Sequence, residues 1–135
     1  MTNLNNDLKL RPLWLLIGYM LIAYVIYETL TADPVSVDIH LPFADKYMHA
    51  LGYFILMGWF VQIYHSKKAK LIGALFFIGM GIGLEFLQEM GGVRYFEVAD
   101  MIANALGVFI ALSLSNTVFE KSLLYIDTMI AKKVF

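Results

Sequence analysis

The chemistry that this sequence could perform resides in eight polar residues, of which seven occur in three short groups and one, Arg94, lies in the loop between the second and third groups. Each group contains a pair of side chains three or four positions apart, and such pairs lie on one face of a helix. An ionisable side chain within an apolar segment is costly in lipid, so it usually faces a partner or a cavity. The eight candidate site residues are Asp45, Lys46, His49, Glu85, Gln88, Arg94, Asp100 and Asn104.

A phosphate-bearing headgroup is the ligand that the cations of this set favour. Lys46, Arg94 and a protonated His49 can donate charge-assisted hydrogen bonds to phosphate oxygens. Helix N-termini also attract anions, because their first backbone N–H groups have no partner within the helix. The three acidic residues of the set oppose an anion unless they are protonated or paired with these cations.

A membrane hydrolase or transferase is the alternative function. The catalytic candidates are then His49 as general acid or base, Glu85 or Asp100 to orient it, and Arg94 to stabilise phosphate charge. These motifs hold no hydroxyl or thiol nucleophile, so a histidine, a carboxylate or water would have to attack. A Mg²⁺ or Ca²⁺ ion could also be held by Asp45, Glu85, Asp100 and His49, because hard cations take oxygen ligands. A zinc site is disfavoured, because the set contains a single histidine. We expect no bound metal or cofactor, and binding is our first hypothesis.

Each of these residues also has a structural explanation when it is taken alone. Asp45 could cap its helix, and Asp100 could complement a helix dipole. Gln88 and Asn104 could join helices by hydrogen bonds. The functional interpretation therefore depends on the whole set lying at one depth in the membrane.

Four apolar segments must position this set, and they define an all-α membrane protein. The chain has 135 residues, of which 60% are hydrophobic and 16% charged, with a net charge of −1 and no cysteine. Ordinary soluble domains are about 45–50% apolar and 25% charged. This composition excludes a disulfide framework and gives no basic surface for nucleic acid. The predicted spans are Leu13 to Leu30, Tyr47 to Tyr64, Leu71 to Leu87, and Val98 to Phe119.

The lysine and arginine distribution predicts the orientation of this single four-helix domain, because cytoplasmic loops are enriched in these residues. Two outer connections, Thr31 to Lys46 and Glu89 to Glu97, are mainly acidic. Both termini should therefore be cytoplasmic, and the polar set should lie at the outer surface. The cytoplasmic cations are Lys9, Arg11, Lys67, Lys68, Lys70, Lys121, Lys132 and Lys133.

Small residues and a tail pattern complete the predicted architecture. Gly79 with Gly83 in the third span, and a four-residue repeat in the fourth, predict close packing of these two helices. That repeat consists of Ala99, Ala103, Gly107 and Ala111. Residues 120–135 have apolar positions at helical spacing, which predicts an amphipathic cytoplasmic helix. This helix would anchor to the membrane or contact a second copy of the chain.

The motifs together resemble those of VanZ-like membrane proteins over roughly Asp45 to Leu114. In that family Asp-Lys-x-x-His begins one helix and Glu-x-x-Gln ends the next, and an Arg precedes Asp-x-x-x-Asn at the start of the last. Here the same elements begin at Asp45, Glu85, Arg94 and Asp100, in the same order.

The resemblance implies a multi-pass protein of a bacterial cytoplasmic membrane, from a family associated with resistance to the glycopeptide teicoplanin. It supplies no reaction, and resistance itself does not transfer with a fold. The expected partner is a membrane lipid or a lipid-linked envelope precursor, bound at the outer surface.

Overall fold

Helices form all the regular structure in the described part of the chain. The computed structural model describes residues 7–36, 38 and 40–135. Its elements are α1 (Arg11–Leu30), α2 (Ala44–Val61), α3 (Lys67–Met90), α4 (Val98–Leu114), a 3-10 turn (Val118–Lys121) and α5 (Ser122–Val134). The all-α prediction is confirmed. The fourth helix ends at Leu114, before the predicted Phe119, and a turn at residues 115–117 then leads into the 3-10 turn.

Within the residues that the structure describes, two helices are long and apolar enough to cross a membrane, namely α1 and α3. A third span results if α4 and the segment Val118–Val134, which are bent by 83° relative to each other, are counted together. Many large apolar side chains on these helices are exposed, including Leu16 on α1, Phe76 on α3 and Phe109 on α4. A lipid environment explains this exposure, since soluble proteins rarely expose extended apolar surface.

Local sequence explains where these helices begin. A proline, Pro12, lies in the first turn of α1, where its missing N–H costs no hydrogen bond. The hydroxyl of Ser66 caps α3 by accepting a hydrogen bond from the backbone N–H of Ala69 at 3.1 Å. The helix α2 instead starts after Phe43, which adopts a left-handed conformation with φ of 61°.

The contact between α2 and α4 is the closest in the bundle. A Cβ atom at Gly107 would lie 2.1 Å from the backbone oxygen of Ala50, so only glycine allows this approach. Ala103 and Ala111 are also buried. The small-residue repeat of α4 therefore packs mainly against α2.

The prediction that Gly83 packs α3 against α4 is wrong. Gly83 and Gly79 are exposed, and a Cβ atom added to either would have no neighbour within 4 Å. Gly81 is buried instead, and a Cβ there would lie 3.0 Å from Asn104 Nδ2. The α3 contact with α4 thus uses the opposite face of α3 from the one predicted.

The bundle has two polar ends, which we name by their contents. The cavity end contains the starts of α2 and α4 with the ends of α1 and α3, as contacts of Lys46 with Asp100 and of Gln88 with Thr29 show. The α5 end contains α5 and the start of α1, which Asp127 joins. Leu123 and Ala131 are buried beside Asp127, whereas Ile126 and Val134 of the predicted apolar face are exposed.

Candidate functional site

Lys46 lies at the centre of an ion-pair network that joins the starts of α2 and α4. Its Nζ lies 2.7 Å from Asp45 Oδ2 and 2.6 Å from Asp100 Oδ1, and it also contacts the carboxylate of Glu97. Ligand oxygens of these three acids lie within 4.8 Å of one another, a spacing that would suit a cation. The Lys46 ammonium supplies positive charge among them.

The network alters the pKa values of two of its members, Asp45 and Lys46, in opposite directions. The hydrogen bond from Lys46 holds the pKa of the Asp45 carboxyl below its ordinary value. Partial burial opposes the charged form of Lys46, but the hydrogen bonds to its three carboxylates outweigh burial and raise its pKa. Both groups are therefore charged at neutral pH, and Lys46 is fully engaged with acids.

His49 and Arg94 form the second layer of the cavity end. His49 Nδ1 lies 3.1 Å from Asn104 Oδ1, which fits an N–H donated to the amide oxygen. The other ring nitrogen, Nε2, lies 3.4 Å from Arg94 Nη1 and 3.6 Å from Asp100 Oδ2. Asp100 is completely buried, and its carboxylate is held mainly by ion pairs with Lys46 and Arg94.

Arg94 is less tightly bound than Lys46. Its Nη2 lies 3.4 Å from Asp45 Oδ2 and 3.6 Å from Asp100 Oδ2, longer than the roughly 2.7–2.9 Å of a strong charge-assisted hydrogen bond. Its side chain is 36% exposed, against 20% for Lys46. The guanidinium therefore retains donor capacity that Lys46 lacks.

Glu85 and Gln88 fasten backbone at the cavity end. Glu85 Oε1 accepts a hydrogen bond from the backbone N–H of Glu97 at 2.9 Å, which fixes the residue before α4. Gln88 Nε2 donates to the backbone oxygen of Thr29 at 2.7 Å, which ties α3 to α1. Both side chains are buried. Their geometry is that of structural contacts, as the single-residue interpretation expected for Gln88.

A cavity of about 620 Å³ opens beside this network, between α1, α2 and the end of α3. Its volume falls in the usual range of small-molecule sites, about 300–1,000 Å³. Its lining includes apolar side chains, among them Val25, Met48 and Val93, as well as charged ones. A ligand with both a polar and an apolar part would match this mixed lining. The lining residues with acidic, guanidinium or imidazole side chains are Glu28, Asp45, His49 and Arg94.

The eight predicted site residues divide between the cavity wall and the structure behind it. The four that line the cavity are Asp45, His49, Gln88 and Arg94. The network behind them contains Lys46, Asp100 and Asn104, while Glu85 reaches it through Glu97. The structure thus brings the set to one end of the bundle. Its role in binding stays a prediction.

Sequence reasoning did not single out Glu28 or Glu97 as parts of this end. Glu97 lies three residues before Asp100, the spacing of neighbours on a helix face, and that spacing could have indicated it. Glu28 lies near the end of the first span, at the same depth as Gln88. Its position near the end of that span was the signal that could have indicated it.

The α5 end contains a second polar cluster that sequence reasoning also missed. Asp127 is completely buried and accepts hydrogen bonds from the backbone N–H groups of Lys9 and Leu10, each at 2.8 Å, and from Trp14 Nε1 at 2.7 Å. An acid four residues after Leu123, on the buried face of an amphipathic helix, was the available signal.

Glu120 joins the 3-10 turn to the connection between α2 and α3. Its Oε1 lies 2.6 Å from His65 Nδ1 and 3.1 Å from Lys70 Nζ. Burial favours the protonated carboxyl, but the hydrogen bonds from His65 and Lys70 outweigh it and lower the pKa of Glu120. A smaller cavity of about 350 Å³ lies nearby with aromatic and aliphatic walls, and Lys70 is its charged lining residue.

Comparison of the chain with protein-family models, with curated proteins and with solved structures finds no match.

Proposed function

We propose that this chain is an integral membrane protein of a bacterial cytoplasmic membrane that binds a phosphate-bearing, lipid-linked headgroup in its cavity. The proposal includes four spans, with α2 and α4 crossing as well as α1 and α3. It also places the chain among VanZ-like proteins, on the motifs that begin at Asp45, Glu85, Arg94 and Asp100. Family membership supports an envelope role and supplies no ligand.

The proposed orientation puts the cavity end outside and the α5 end in the cytoplasm. Exposed cations surround the α5 end, including Lys67, Lys68 and Lys132, and such residues are enriched on the cytoplasmic side. Reporter fusions after Lys68 and after Phe135 should both behave as internal. A C-terminal reporter that is active only outside would contradict four spans with both termini inside.

The position of Arg94 is the observation that carries the binding proposal. Lys46 is surrounded by three carboxylates and does not line the cavity, whereas Arg94 lines it with long contacts and a partly exposed side chain. A guanidinium has five N–H donors in a planar fork that fits a phosphate. His49 is adjacent and can add a donor when it is protonated.

The apolar side chains that line the cavity favour a lipid-linked ligand more than a free phosphate ion. Val25, Met48 and Val93 offer no hydrogen bonds to an inorganic anion, but they can bury hydrocarbon. Apolar burial contributes roughly 25 cal/mol per Å² of surface removed from water. A lipid-linked headgroup can therefore gain binding free energy from the polar and the apolar side chains of the cavity together.

Lipid retention by the purified protein, measured by native mass spectrometry, tests this function. The wild type should retain a phosphate-bearing lipid, and Arg94→Gln should retain about tenfold less, the usual effect of losing a charged hydrogen bond. Arg11→Gln is the matched control, because Arg11 lies at the α5 end, over the ring of Tyr64 at 5.0 Å. Equal retention by all three proteins, or none by the wild type, would contradict the proposal.

A membrane hydrolase or transferase is the second candidate, and the geometry of His49 favours it. Asn104 holds one ring nitrogen while Asp100 lies beside the other, as a general acid or base requires. Release of phosphate or headgroup from a bound lipid, abolished in His49→Gln, would establish it. Intact lipid after prolonged incubation with the wild type would exclude it for that substrate.

A further inference from the structure

The cavity wall carries more negative than positive charge, although its proposed ligand contains a phosphate. Its charged side chains are the carboxylates of Glu28 and Asp45 and the guanidinium of Arg94. Behind them, Lys46 faces three carboxylates, including that of the completely buried Asp100. A ligand with only a phosphate would add negative charge to a region already negative, which is unfavourable in a partly buried site.

Glu28 supplies negative charge from α1. Its Oε2 accepts a hydrogen bond from the backbone N–H of Val35 at 2.8 Å, which fixes the carboxylate at the cavity. A carboxylate has about four lone-pair sites, so this single bond leaves acceptor capacity for a ligand. Asp45 is engaged with Lys46 and Arg94, so Glu28 is the acid better able to receive a new donor.

The orientation of Gln88 adds a second acceptor to the same wall. The backbone oxygen of Thr29 accepts only, so the amide nitrogen of Gln88 must face it, and Oε1 must point away. Gln88 is 3% exposed, and this oxygen has no hydrogen-bond partner among the described residues. An unsatisfied buried carbonyl oxygen contributes negative potential to the cavity wall even without direct contact.

We propose that the bound headgroup carries a primary ammonium beside its phosphate, the chemistry of phosphoethanolamine. Arg94 contacts the phosphate, and the ammonium donates to Glu28 on the wall that Gln88 also lines. The positive charge of the ammonium offsets the phosphate, so binding adds no net charge to the cavity. This inference rests on the proposed lipid-binding function and specifies its ligand.

The test compares two lipids with the same acyl chains, phosphatidylethanolamine and phosphatidylglycerol, on the full chain in detergent. Both carry a phosphodiester, but only the first carries an ammonium. Native mass spectrometry should show about tenfold preference for phosphatidylethanolamine in the wild type, the effect of one charged hydrogen bond. Glu28→Gln should lose most of this preference, while its amide oxygen can still accept from Val35.

Asp33→Asn is the matched control for Glu28→Gln. Asp33 is exposed in the connection that follows α1 and does not line the cavity, so the same loss of charge there should leave the preference intact. Free phosphoethanolamine at the same concentration should not displace the lipid, because it has no acyl chain to bury against the apolar side chains of the cavity. If free phosphoethanolamine displaced the bound lipid as well as added phosphatidylethanolamine does, the assignment of a lipid as the ligand would be overturned.

The outcomes separate this inference from the function beneath it. If the wild type retains at least as much phosphatidylglycerol as phosphatidylethanolamine, the assignment of an ammonium to the ligand is wrong, while the lipid-binding function stands. If Asp33→Asn lowers the preference as much as Glu28→Gln, the effect is general charge and Glu28 is not the contact. If the wild type retains neither lipid, the proposed function itself fails.

Discussion

The two polar ends of the bundle use similar residues to different effect. Each has a completely buried aspartate, Asp100 at the cavity end and Asp127 at the α5 end. Asp127 accepts three short hydrogen bonds from the start of α1. Asp100 is held by ion pairs with Lys46 and Arg94 instead, and Arg94 extends onward to a cavity of about 620 Å³.

The difference shows how a structural polar cluster is distinguished from a candidate site. At the α5 end the acids are matched by donors within the protein, so a ligand would have nothing to add. At the cavity end Arg94 has long contacts and Gln88 Oε1 has no partner among the described residues. Buried polar atoms are normally satisfied, so the unpartnered Gln88 oxygen favours a ligand, and the long contacts of Arg94 leave donors available to it.

The largest loss of stability should come from a change at the close contact between α2 and α4. Gly107→Ala would place a Cβ 2.1 Å from the Ala50 backbone oxygen, so α2 and α4 must separate. Overpacking of this kind costs roughly 3 kcal/mol, the upper part of its usual range. Unfolding in detergent, followed by circular dichroism, measures the change.

Gly83→Ala is the control for that contact. Its Cβ would have no neighbour within 4 Å, and alanine favours a helix over glycine by up to about 1 kcal/mol. The variant should be as stable as the wild type or more so. A loss equal to that of Gly107→Ala would show that α3 packs along Gly83 after all.

The next largest effect should come from Asp127→Asn, which tests the structural nature of the α5 end. An amide keeps the shape of the side chain but places an NH₂ group against N–H donors, including those of Leu10 and Trp14. We expect a loss of about 2–3 kcal/mol in unfolding free energy, with lipid retention unchanged. Asp7→Asn, a change at an exposed residue, should alter neither the unfolding free energy nor lipid retention. A melting curve for Asp127→Asn that matches the wild type would contradict the structural role of the α5 end.

A smaller, pH-dependent effect should come from Glu120. Because its pKa is lower in the folded protein, its charged form stabilises the fold above the ordinary glutamate pKa, about 4.3. That stabilisation is lost as the pH falls through the lowered folded-state pKa. Stability measured from pH 7 to pH 3 should therefore decline less steeply in Glu120→Gln. Parallel curves for the two proteins would contradict the role of its bonds to His65 and Lys70.

The smallest effect on stability should come from Arg94→Gln in the absence of lipid. Its contacts with Asp45 and Asp100 are long and its side chain is partly exposed, so its ion pairs should contribute at most about 1 kcal/mol. Thermal unfolding of lipid-free protein measures this. A loss as large as that of Asp127→Asn would make Arg94 a structural residue.

The sequence predicted the helical class and the gathering of the polar set at one end of the bundle, because apolar length and charge position are local properties. It also predicted that Asp45, His49, Asp100 and Asn104 share helix faces, and these residues lie together in the structure. It did not predict that Lys46 would be enclosed by acids while Arg94 would face the cavity. That distinction depends on side-chain directions that spacing does not determine.

The errors concern contacts between helices. A small-residue pattern shows that a helix can approach a neighbour, but not which neighbour, so Gly107 was assigned to α3 while it contacts α2. Asp127 was missed because one acid on an amphipathic helix normally faces water. Its burial depends on donors from Lys9, Leu10 and Trp14, which are more than a hundred positions earlier in the chain.

The most direct test of the central claim is the dependence of melting temperature on added lipid, compared between wild type and Arg94→Gln. A ligand that binds only the folded protein raises its stability with concentration. The wild type should melt at rising temperature as phosphatidylethanolamine is added, while Arg94→Gln should start from a similar value and rise much less. An equal rise in both proteins would contradict the claim that Arg94 binds a headgroup in this cavity.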